Sequence, residues 1–337
     1  ELGPTTYDVV AYGGRYVVVC RMTLSSPIGF ARRAVRAVPK WVLAVDGQRI
    51  PGACGGGAKS SSLLLAVGTI DGAVEVCRVD GATGAIRGVG ARLVGPRRCL
   101  LYSMDLVGFV VEDDNGGGVD DVVYEVRVAG GTVLFDVLVW RFEVVVGERG
   151  GTTPVSLSSL SSRSSLSSLS SRSFSFGGHT GSVHCVCWDA GGERLASGSD
   201  DRTVRVWVAP WARGGDVGGD VGGSSGVFRH AARVWSLRFD DANGVVYSGC
   251  EDGCVRGWGT GTRPLAQWGS GKGVRVIRVC GDMVLTGGAD GSVRVWDADG
   301  GLGRTTVMGV EVTVKAMRAM KGIKAMCLIE GGRRLLV

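Results

Sequence analysis

One phrase recurs three times in the second half of the chain and constrains the fold more than any other feature. The three copies read LASGSDDRTVRVW, VYSGCEDGCVRGW and VLTGGADGSVRVW, and they end at Trp207, Trp258 and Trp296. In each copy an Asp precedes the Trp by six residues, and a Ser or Thr precedes it by ten. Alternating β-branched residues flank a turn that contains Asp and Gly or Arg, which is typical of two strands joined by a hairpin. The chain therefore contains a repeated strand–turn–strand unit.

A histidine extends two of the copies, because His179 and His230 each lie 28 residues before the Trp of their copy. An Asp carboxylate can accept from one ring N–H of such a His. The other ring nitrogen can accept from a Ser hydroxyl, which in turn can accept from the Trp indole. We therefore predict buried structural tetrads that tie each unit together. The members are His179, Ser197, Asp201 and Trp207; His230, Ser248, Asp252 and Trp258; and, as a partial tetrad, Thr286, Asp290 and Trp296.

This pattern is identified as the signature of the WD40 repeat, in which one repeat forms one four-stranded blade. It implies an all-β WD40 β-propeller of six to seven four-stranded blades. We expect the chain to be a fragment of a longer, multi-propeller protein. Recognisable blades lie near 63–79, 99–142, 179–208, 230–259 and 274–297.

Two segments interrupt the blade pattern. Residues 156–175 are rich in Ser and of low complexity, so we expect a disordered insertion there. Arg residues among the hydroxyls leave open a phosphorylation site or a plain tolerated loop. Residues 214–226, GGDVGGDVGGSSG, predict a flexible Gly-rich loop. Both insertions fall between blades, where they would not disturb a core.

Composition limits the function classes without choosing one. The net charge is +6, and 32 of the 38 basic residues are Arg. This is consistent with a surface that binds nucleic acid or with a general compositional bias. Ten cysteines occur without a CxxC pair, which favours reduced thiols and a cytoplasmic location over a zinc or disulfide framework. The apolar runs are shorter than the ~20 residues that cross a bilayer.

Several stretches outside the WD40 consensus resemble one particular family. They are KWVLAV from Lys40, LLLAVGTIDGAVEV from Leu63, RCLLYSM from Arg98, AGGTVLFDVLVWRF from Ala129, GGHTGSVHCVCW from Gly177 and HAARVW from His230. Together they resemble the WD-repeat subunit of the eukaryotic tRNA ribose methyltransferase, between about Tyr12 and Trp296. The third blade departs from the family pattern at Phe135 and Asp136, and the sixth has no matching His.

The resemblance implies a non-catalytic role. Such a subunit binds an FtsJ-type methyltransferase and helps to present the tRNA anticodon loop for 2′-O-methylation of the wobble nucleotide. The methyl donor, S-adenosylmethionine, belongs to the partner, so the resemblance implies no cofactor for this chain. Direct contact with tRNA is a further possibility.

Candidate partner-binding or RNA-binding residues follow from their position in each blade, just after the first buried Val or just before the turn Asp. Trp235 is the strongest candidate, either as an exposed stacking platform or as a half-buried aromatic between blades. Arg97 and Arg98 are weaker candidates at the start of the third blade. The other candidates are Arg233, His184, Asp200, Glu251 and Arg275.

The sequence thus predicts a non-catalytic accessory subunit of a tRNA methyltransferase. The alternative is a general WD40 scaffold in a ubiquitin-ligase, trafficking or signalling complex. The Ser, His and Asp of each tetrad could also form a catalytic triad. A triad needs one copy with an exposed Ser, whereas these residues recur. We therefore interpret them as structural and predict no catalytic or metal-binding residues.

Overall fold

The computed structural model shows mainly β-strands in the part of the chain that it describes. It describes residues 5–24, 29–50, 62–81, 83–95, 98–111, 122–146, 152–154, 172–213, 219–220, 225–259, 261, 263–269, 272–281, 283–297, 327–329 and 334–336. Residues 1–130 and 138–174 form a first compact unit, unit 1, and residues 131–137 and 175–337 form a second, unit 2. The prediction of an all-β protein made of small blade-like sheets is confirmed.

Three sheets lie mainly in unit 1. Sheet 1 has the strand order β1 (Thr5–Gly13), β2 (Tyr16–Leu24), β3 (Gly29–Ala37). Sheet 2 has the order β4 (Val42–Ile50), β5 (Ser62–Thr69), β6 (Ala73–Val79), β7 (Ile86–Val94). Sheet 3 has the order β8 (Leu101–Val111), β9 (Val122–Thr132), β10 (Val137–Val146), β12 (Arg172–Phe176), and β11 (Thr152–Pro154) pairs with β10.

Three further sheets lie in unit 2. Sheet 4 contains β13 (Val183–Trp188), β14 (Arg194–Ser199), β15 (Thr203–Val208) and β17 (Gly226–Arg229). Sheet 5 contains β18 (Val234–Asp240), β19 (Val245–Cys250), β20 (Cys254–Trp258) and β21 (Ala266–Gly269). Sheet 6 contains β22 (Val274–Cys280), β23 (Met283–Gly288) and β24 (Val293–Asp297). The short strand β16 (Gly219–Asp220) pairs with β12 at the edge of sheet 3. The remaining elements are a short 3-10 helix (Pro210–Arg213) and the pair β25 (Cys327–Ile329) and β26 (Arg334–Leu336).

The outermost strand of sheets 4 and 5 comes from the sequence that leads into the next sheet. Strand β17 pairs antiparallel with β15, with Val204 opposite Phe228, and β21 pairs in the same way with β20. The chain then runs from β17 directly into β18 of the next sheet. Each such strand therefore links two neighbouring sheets of unit 2 covalently.

Neighbouring sheets within each unit pack through buried Val, Leu and Ile side chains. In unit 1, Val17 and Val19 of sheet 1 pack with Leu65 and Val67 of sheet 2. In unit 2, Val234 packs against sheet 4 in a corresponding cluster. Each fully buried side chain of this kind contributes about 1.5–3 kcal/mol. These interfaces are thus the main source of stability for the sheets.

A glycine makes room for each of two such contacts. A Cβ on Gly198 would lie 2.6 Å from Cγ1 of Val234 and 2.7 Å from Sγ of Cys185. A Cβ on Gly249 would lie 2.5 Å from Cγ1 of Val274. The first Val of one sheet therefore sits directly against the backbone of the sheet before it. The glycine that follows the Ser in the repeated phrase has a packing role.

The two predicted insertions fall largely outside the described residues. Residues 155–171, 214–218 and 221–224 are among those not described. The predicted end of the Ser-rich insertion at residue 175 is wrong, since Arg172–Phe176 form β12. Phe174 and Phe176 are both buried, so alternating aromatic side chains stabilise a strand there despite the neighbouring serines.

Candidate functional site

The candidate partner-binding residues of unit 2 are placed by a repeated irregularity of the first strand in each sheet. The strand pairing shifts by one residue directly after the first Val of β13, β18 and β22. The residue left over at each shift is His184, Trp235 or Arg275. A bulge of this kind re-aims the side chain of its extra residue. Local strand geometry therefore explains why these three side chains stand apart from the regular alternation.

The three bulge residues stack on one another across sheets 4, 5 and 6. The rings of His184 and Trp235 have centroids 4.6 Å apart and are tilted by 32°. The guanidinium carbon of Arg275 lies 4.2 Å from the centroid of the Trp235 ring, within the range of a cation–π interaction. The indole therefore contacts an imidazole and a guanidinium from the two neighbouring sheets.

Trp235 is half-buried, whereas one of its two interpretations placed it as an exposed platform; its role in binding stays a prediction. The ring is in contact with both His184 and Arg275. Its indole nitrogen Nε1 is buried, and no hydrogen-bond partner for it lies among the described residues. An unpaired buried donor has a free-energy cost.

Three charged residues surround the stack. Nε2 of His184 lies 2.8 Å from Oδ1 of Asp200, so this ring nitrogen carries a proton and donates it. Nε of Arg233 lies 3.4 Å from Asp200 and 3.7 Å from Glu251. These distances exceed the 2.7–2.9 Å typical of a charged hydrogen bond, so the Arg233 contacts are loose. Arg233 and Glu251 are also about half exposed, at 53% and 45% of the side chain.

These six residues form one group, which we call the unit-2 cluster: His184, Asp200, Arg233, Trp235, Glu251 and Arg275. It combines a partly covered aromatic ring with exposed charges of both signs. Aromatic and Arg side chains are enriched where proteins bind one another. The arrangement is suited to contact with another protein. Of the two remaining candidates, Arg98 is exposed in unit 1, and Arg97 lies outside the described residues.

The first tetrad, in sheet 4, forms a continuous chain of hydrogen bonds. Nδ1 of His179 lies 2.7 Å from the carboxylate of Asp201, and Nε2 lies 2.8 Å from Oγ of Ser197. The indole of Trp207 donates to the same Oγ at 2.8 Å. Thr203 adds a hydroxyl donor to Asp201 at 2.6 Å. Burial raises the pKa of Asp201, but the hydrogen bonds from His179 and Thr203 lower it by more, so the pKa lies well below its ordinary value.

The second tetrad, in sheet 5, differs from the prediction at its Asp. Trp258 donates to Oγ of Ser248 at 2.6 Å, and Nε2 of His230 lies 3.1 Å from the same oxygen. However, Nη1 of Arg256 lies 3.1 Å from Nδ1 of His230, and Nη2 of Arg256 pairs with Asp252 at 2.8 Å. The guanidinium therefore stands between the imidazole and the carboxylate that were predicted to bond directly.

A residue difference next to the Asp accompanies this change. In sheet 4 the Thr203 hydroxyl and the histidine together occupy the carboxylate of Asp201. In sheet 5 the position two residues after the Asp is Cys254, and a thiol is a weaker donor than a hydroxyl. The carboxylate of Asp252 is thus left for Arg256, which can supply two N–H groups at once.

The contact with Arg256 also affects the pKa and the protonation of His230. Burial and, after it, the charge of Arg256 lower the pKa of His230 to about 4, although Asp252 acts in the opposite direction. An arginine can only donate, so Nδ1 of His230 must accept and the ring is neutral. The proton of His230 is therefore on Nε2, facing Ser248.

The partial tetrad in sheet 6 keeps the bond from Trp to hydroxyl. The indole of Trp296 donates to Oγ1 of Thr286 at 2.9 Å. Asp290 accepts from the hydroxyl of Ser292 at 2.5 Å and from Arg294 at 3.2 Å. All three sheets thus share the indole–hydroxyl bond and differ around the Asp.

The catalytic alternative for the tetrads is not supported by their burial. The side chains of Ser197 and Ser248 belong to residues with 0% exposure, so a substrate would not reach either hydroxyl. Among the described residues, no group of three or more His, Cys, Asp and Glu side chains is arranged to hold a metal ion. In the same part of the chain, no helix is long and apolar enough to cross a membrane.

Sequence reasoning missed a set of aromatic contacts between neighbouring sheets of unit 2. An aromatic residue in the last strand of one sheet packs on the Trp that ends the repeated phrase in the next sheet. Phe228 stacks on Trp258 with centroids 4.9 Å apart and an angle of 16° between the rings. The other pairs are Phe176 with Trp207 at 5.5 Å and Trp268 with Trp296 at 5.8 Å. An aromatic residue two or three positions before the tetrad His is the signal that would have found two of these pairs.

Three stretches of the chain match the family model described as WD domain, G-beta repeat. They are residues 170–208, 222–259 and 268–297. Each stretch contains all or part of the last strand of one sheet and the first three strands of the next, in agreement with the linked strands described above. The three matched stretches are WD40 repeats, and they correspond to sheets 4, 5 and 6.

Comparison with individual proteins gives more distant similarities. A WD repeat-containing protein of Schizosaccharomyces pombe is 32% identical over 130 residues, which is 37% of this chain and 21% of that protein. The DENN domain and WD repeat-containing protein SCD1 of Arabidopsis thaliana is 30% identical over 126 residues, 37% of this chain and 10% of that protein. The tRNA (34-2'-O)-methyltransferase regulator WDR6 of Homo sapiens is 26% identical over 244 residues, 71% of this chain and 18% of that protein. The chain thus spans about a fifth or less of the length of these relatives.

Proposed function

We propose that this chain belongs to a non-catalytic WD40 subunit that regulates a tRNA 2′-O-methyltransferase acting at the wobble nucleotide. The observation that supports it most is the extent of the similarity to the human methyltransferase regulator, which covers 71% of the chain. This match is too long to fit within the three matched repeats and the residues after them. It therefore takes in part of the chain before residue 170, beyond the general WD40 consensus.

The unit-2 cluster is the proposed contact for the methyltransferase. Its loose ion pairs leave Asp200, Arg233 and Glu251 able to exchange partners at little cost, because exposed ion pairs contribute only about 0–1 kcal/mol. The half-buried Trp235 supplies a ring that is already fixed by His184 and Arg275, so little conformational entropy is lost on binding. Fixed aromatic side chains with charged neighbours are typical of residues that dominate binding energy.

The test begins with the full-length tagged protein isolated from its own cells, followed by mass spectrometry of the proteins that copurify in equal amounts. We expect an FtsJ-type methyltransferase among them. Loss of the gene should lower 2′-O-methylation at the wobble nucleotide of tRNA, measured by mass spectrometry of purified tRNA. Unchanged methylation in cells without the protein would contradict the proposal.

Charge-reversal variants test whether the methyltransferase binds at the unit-2 cluster. Asp200→Arg combined with Glu251→Arg should remove the methyltransferase from the purified complex and lower wobble methylation. The control is Glu193→Arg, which changes an exposed acidic residue in the turn between β13 and β14, outside the cluster. If the control and the double variant behave alike, the contact lies elsewhere.

A general WD40 scaffold is the second candidate. It is favoured by the higher identities, 32% and 30%, of two relatives whose matches are confined to about 130 residues. Isolation of a ubiquitin-ligase, trafficking or signalling complex without any methyltransferase would support this alternative.

A further inference from the structure

Unit 1 exposes aromatic and apolar side chains at one end of sheets 1 and 2. Trp41 is 61% exposed, Tyr12 is 48% exposed and Ile70 is 41% exposed. Single exposed apolar residues are ordinary on a protein surface, whereas several together indicate a binding surface. None of these three residues belongs to the proposed methyltransferase contact.

Backbone hydrogen bonds bring these side chains to one place. The amide that follows Trp41 donates to Gly14 O at 2.7 Å, so Trp41 adjoins the turn between Tyr12 and Tyr16. The amide of Ile70 donates to Trp41 O at 2.8 Å. The two turns and the start of β4 therefore form one continuous edge of unit 1.

Basic side chains lie along the same edge. Arg15 is held there because its Nε donates to Val38 O at 3.2 Å. Lys40 directly precedes Trp41. Arg98 joins them at the Ile70 turn, since a Cβ on Gly72 would lie 2.4 Å from the carbonyl oxygen of Cys99.

All three basic side chains are exposed, and the neighbouring acid is already neutralised. The carboxylate of Asp71 pairs with Arg92 at 2.6 Å. Exposed aromatic and basic side chains therefore lie close together at this edge. We call the group the unit-1 cluster: Tyr12, Arg15, Lys40, Trp41, Ile70 and Arg98.

We propose that the unit-1 cluster binds single-stranded nucleic acid. An exposed aromatic ring offers a face on which an unpaired base can stack, and the adjacent cations can neutralise the phosphates on either side of that base. A duplex keeps its base faces covered, so the same surface would hold it only through the phosphates. The inference goes beyond the proposed function, since it requires neither a methyltransferase nor the unit-2 cluster.

The first experiment measures fluorescence anisotropy of the purified full-length chain with a labelled single-stranded RNA 15-mer that has no internal complementarity. Single-stranded DNA of the same sequence and the RNA duplex are measured in parallel. We expect both single strands to bind more tightly than the duplex. Equal or tighter binding of the duplex would overturn the base-stacking proposal, and so would no binding of either single strand at low salt.

Substitutions separate stacking from charge. Trp41→Ala should weaken single-strand binding about 5- to 150-fold, which corresponds to one base stack of about 1–3 kcal/mol, and Trp41→Phe should restore most of it. Arg15→Ala with Lys40→Ala should reduce the slope of log Kd against log salt by about 0.7 for each lost phosphate contact. The controls are Val110→Ala and Arg49→Ala, which change exposed residues of unit 1 outside the cluster.

An unchanged melting temperature shows that each variant is folded. Equal losses from Trp41→Ala and Val110→Ala would overturn the proposal. So would a result in which Trp41→Ala leaves RNA binding intact but removes a protein from the purified complex. The RNA-binding measurement does not depend on the wobble-methylation measurement. Either proposal can therefore be contradicted while the other stands.

Discussion

The carboxylate of Asp201 lies 2.7 Å from Nδ1 of His179, and this contact places the ring proton on Nδ1 because a carboxylate can only accept. In the next sheet the corresponding Nδ1 of His230 faces the guanidinium of Arg256 at 3.1 Å and must itself accept. Two histidines at the same position of consecutive repeats therefore carry their protons on opposite nitrogens. The Ser hydroxyl beside each ring changes role accordingly, donating to His179 and accepting from His230.

These opposite tautomers can be observed directly by NMR. Long-range ¹H–¹⁵N correlation spectra at pH 7.5 should show His179 protonated on Nδ1 and His230 protonated on Nε2. The sequence contains three histidines, and His184 should resemble His230 because its Nε2 donates to Asp200. Single His→Gln variants assign the signals. The same tautomer for His179 and His230 would contradict the described networks.

The stability of unit 2 should fall when the pH drops below about 6.5. The unfolded state binds a proton on His230 near its ordinary pKa of 6.5, whereas the folded state does so only near a pKa of about 4. The unfolded state therefore gains protons first as the pH falls, and the free energy of unfolding decreases. At 1.36 kcal/mol per pH unit the loss amounts to about 3 kcal/mol by pH 4.

Urea unfolding followed by tryptophan fluorescence between pH 7.5 and 4.5 measures this dependence. A His230→Gln variant should show a smaller decrease over the same range, because its side chain does not titrate. Equal slopes for the variant and the unmodified protein would mean that His230 is already charged in the folded state.

Replacing Asp201 should destabilise sheet 4. Asp201→Ala removes the acceptor for His179, for the Thr203 hydroxyl and for the amide of Thr180. A buried donor left without a partner costs about 1–3 kcal/mol, so we expect a loss of that order in urea unfolding. Glu193→Ala, at an exposed turn position of sheet 4, is the control. An unchanged midpoint for Asp201→Ala would show that the network contributes nothing to stability.

The ion pair in sheet 5 should show a measurable coupling. Asp252 and Arg256 are mostly buried, with 17% and 11% of their side chains exposed, so water screens them less than a surface pair. A double-mutant cycle with Asp252→Ala and Arg256→Ala should give an interaction energy of about 0.5–3 kcal/mol. Arg256→Ala should also raise the pKa of His230, because the nearby positive charge is removed. A coupling near zero together with an unmoved His230 titration would contradict the described contacts.

The sequence predicted the part of these networks that depends on spacing alone. The spacing of ten residues between a Ser or Thr and the Trp predicted an indole–hydroxyl bond. The structure has this bond in sheets 4, 5 and 6. The partner of the Asp could not be predicted in this way. It depends on competition between the residues two and four positions later, such as Cys254 and Arg256, and on their geometry in space.

The candidate site was predicted in a similar, partial way. Position within the repeat was enough to select His184, Trp235 and Arg275, because each follows the first buried Val of its sheet. Their stacking was not predictable, since it depends on a bulge in each strand and on contacts between residues about 40–50 positions apart in the chain. The unit-1 cluster was not predicted from the sequence for a related reason. Trp41, Tyr12 and Ile70 are separated in sequence and meet only through hydrogen bonds between turns.

The glycine of the repeated phrase gives the sharpest test of how the sheets pack. Gly198→Ala would place a Cβ 2.6 Å from Cγ1 of Val234 and 2.7 Å from Sγ of Cys185, closer than real Cβ contacts. Both neighbours are buried β-strand residues that cannot move away freely, so strain of about 1–3 kcal/mol is expected. Gly269→Ala is the matched control, because it lies in an edge strand with no atom within 4 Å of the new Cβ. Urea unfolding should show a lower midpoint for Gly198→Ala and a nearly unchanged one for Gly269→Ala. A further change, Val234→Ala, should recover part of the loss in Gly198→Ala by removing the clashing methyl groups. If Gly198→Ala is as stable as the control, sheets 4 and 5 are not packed as closely as the structure describes.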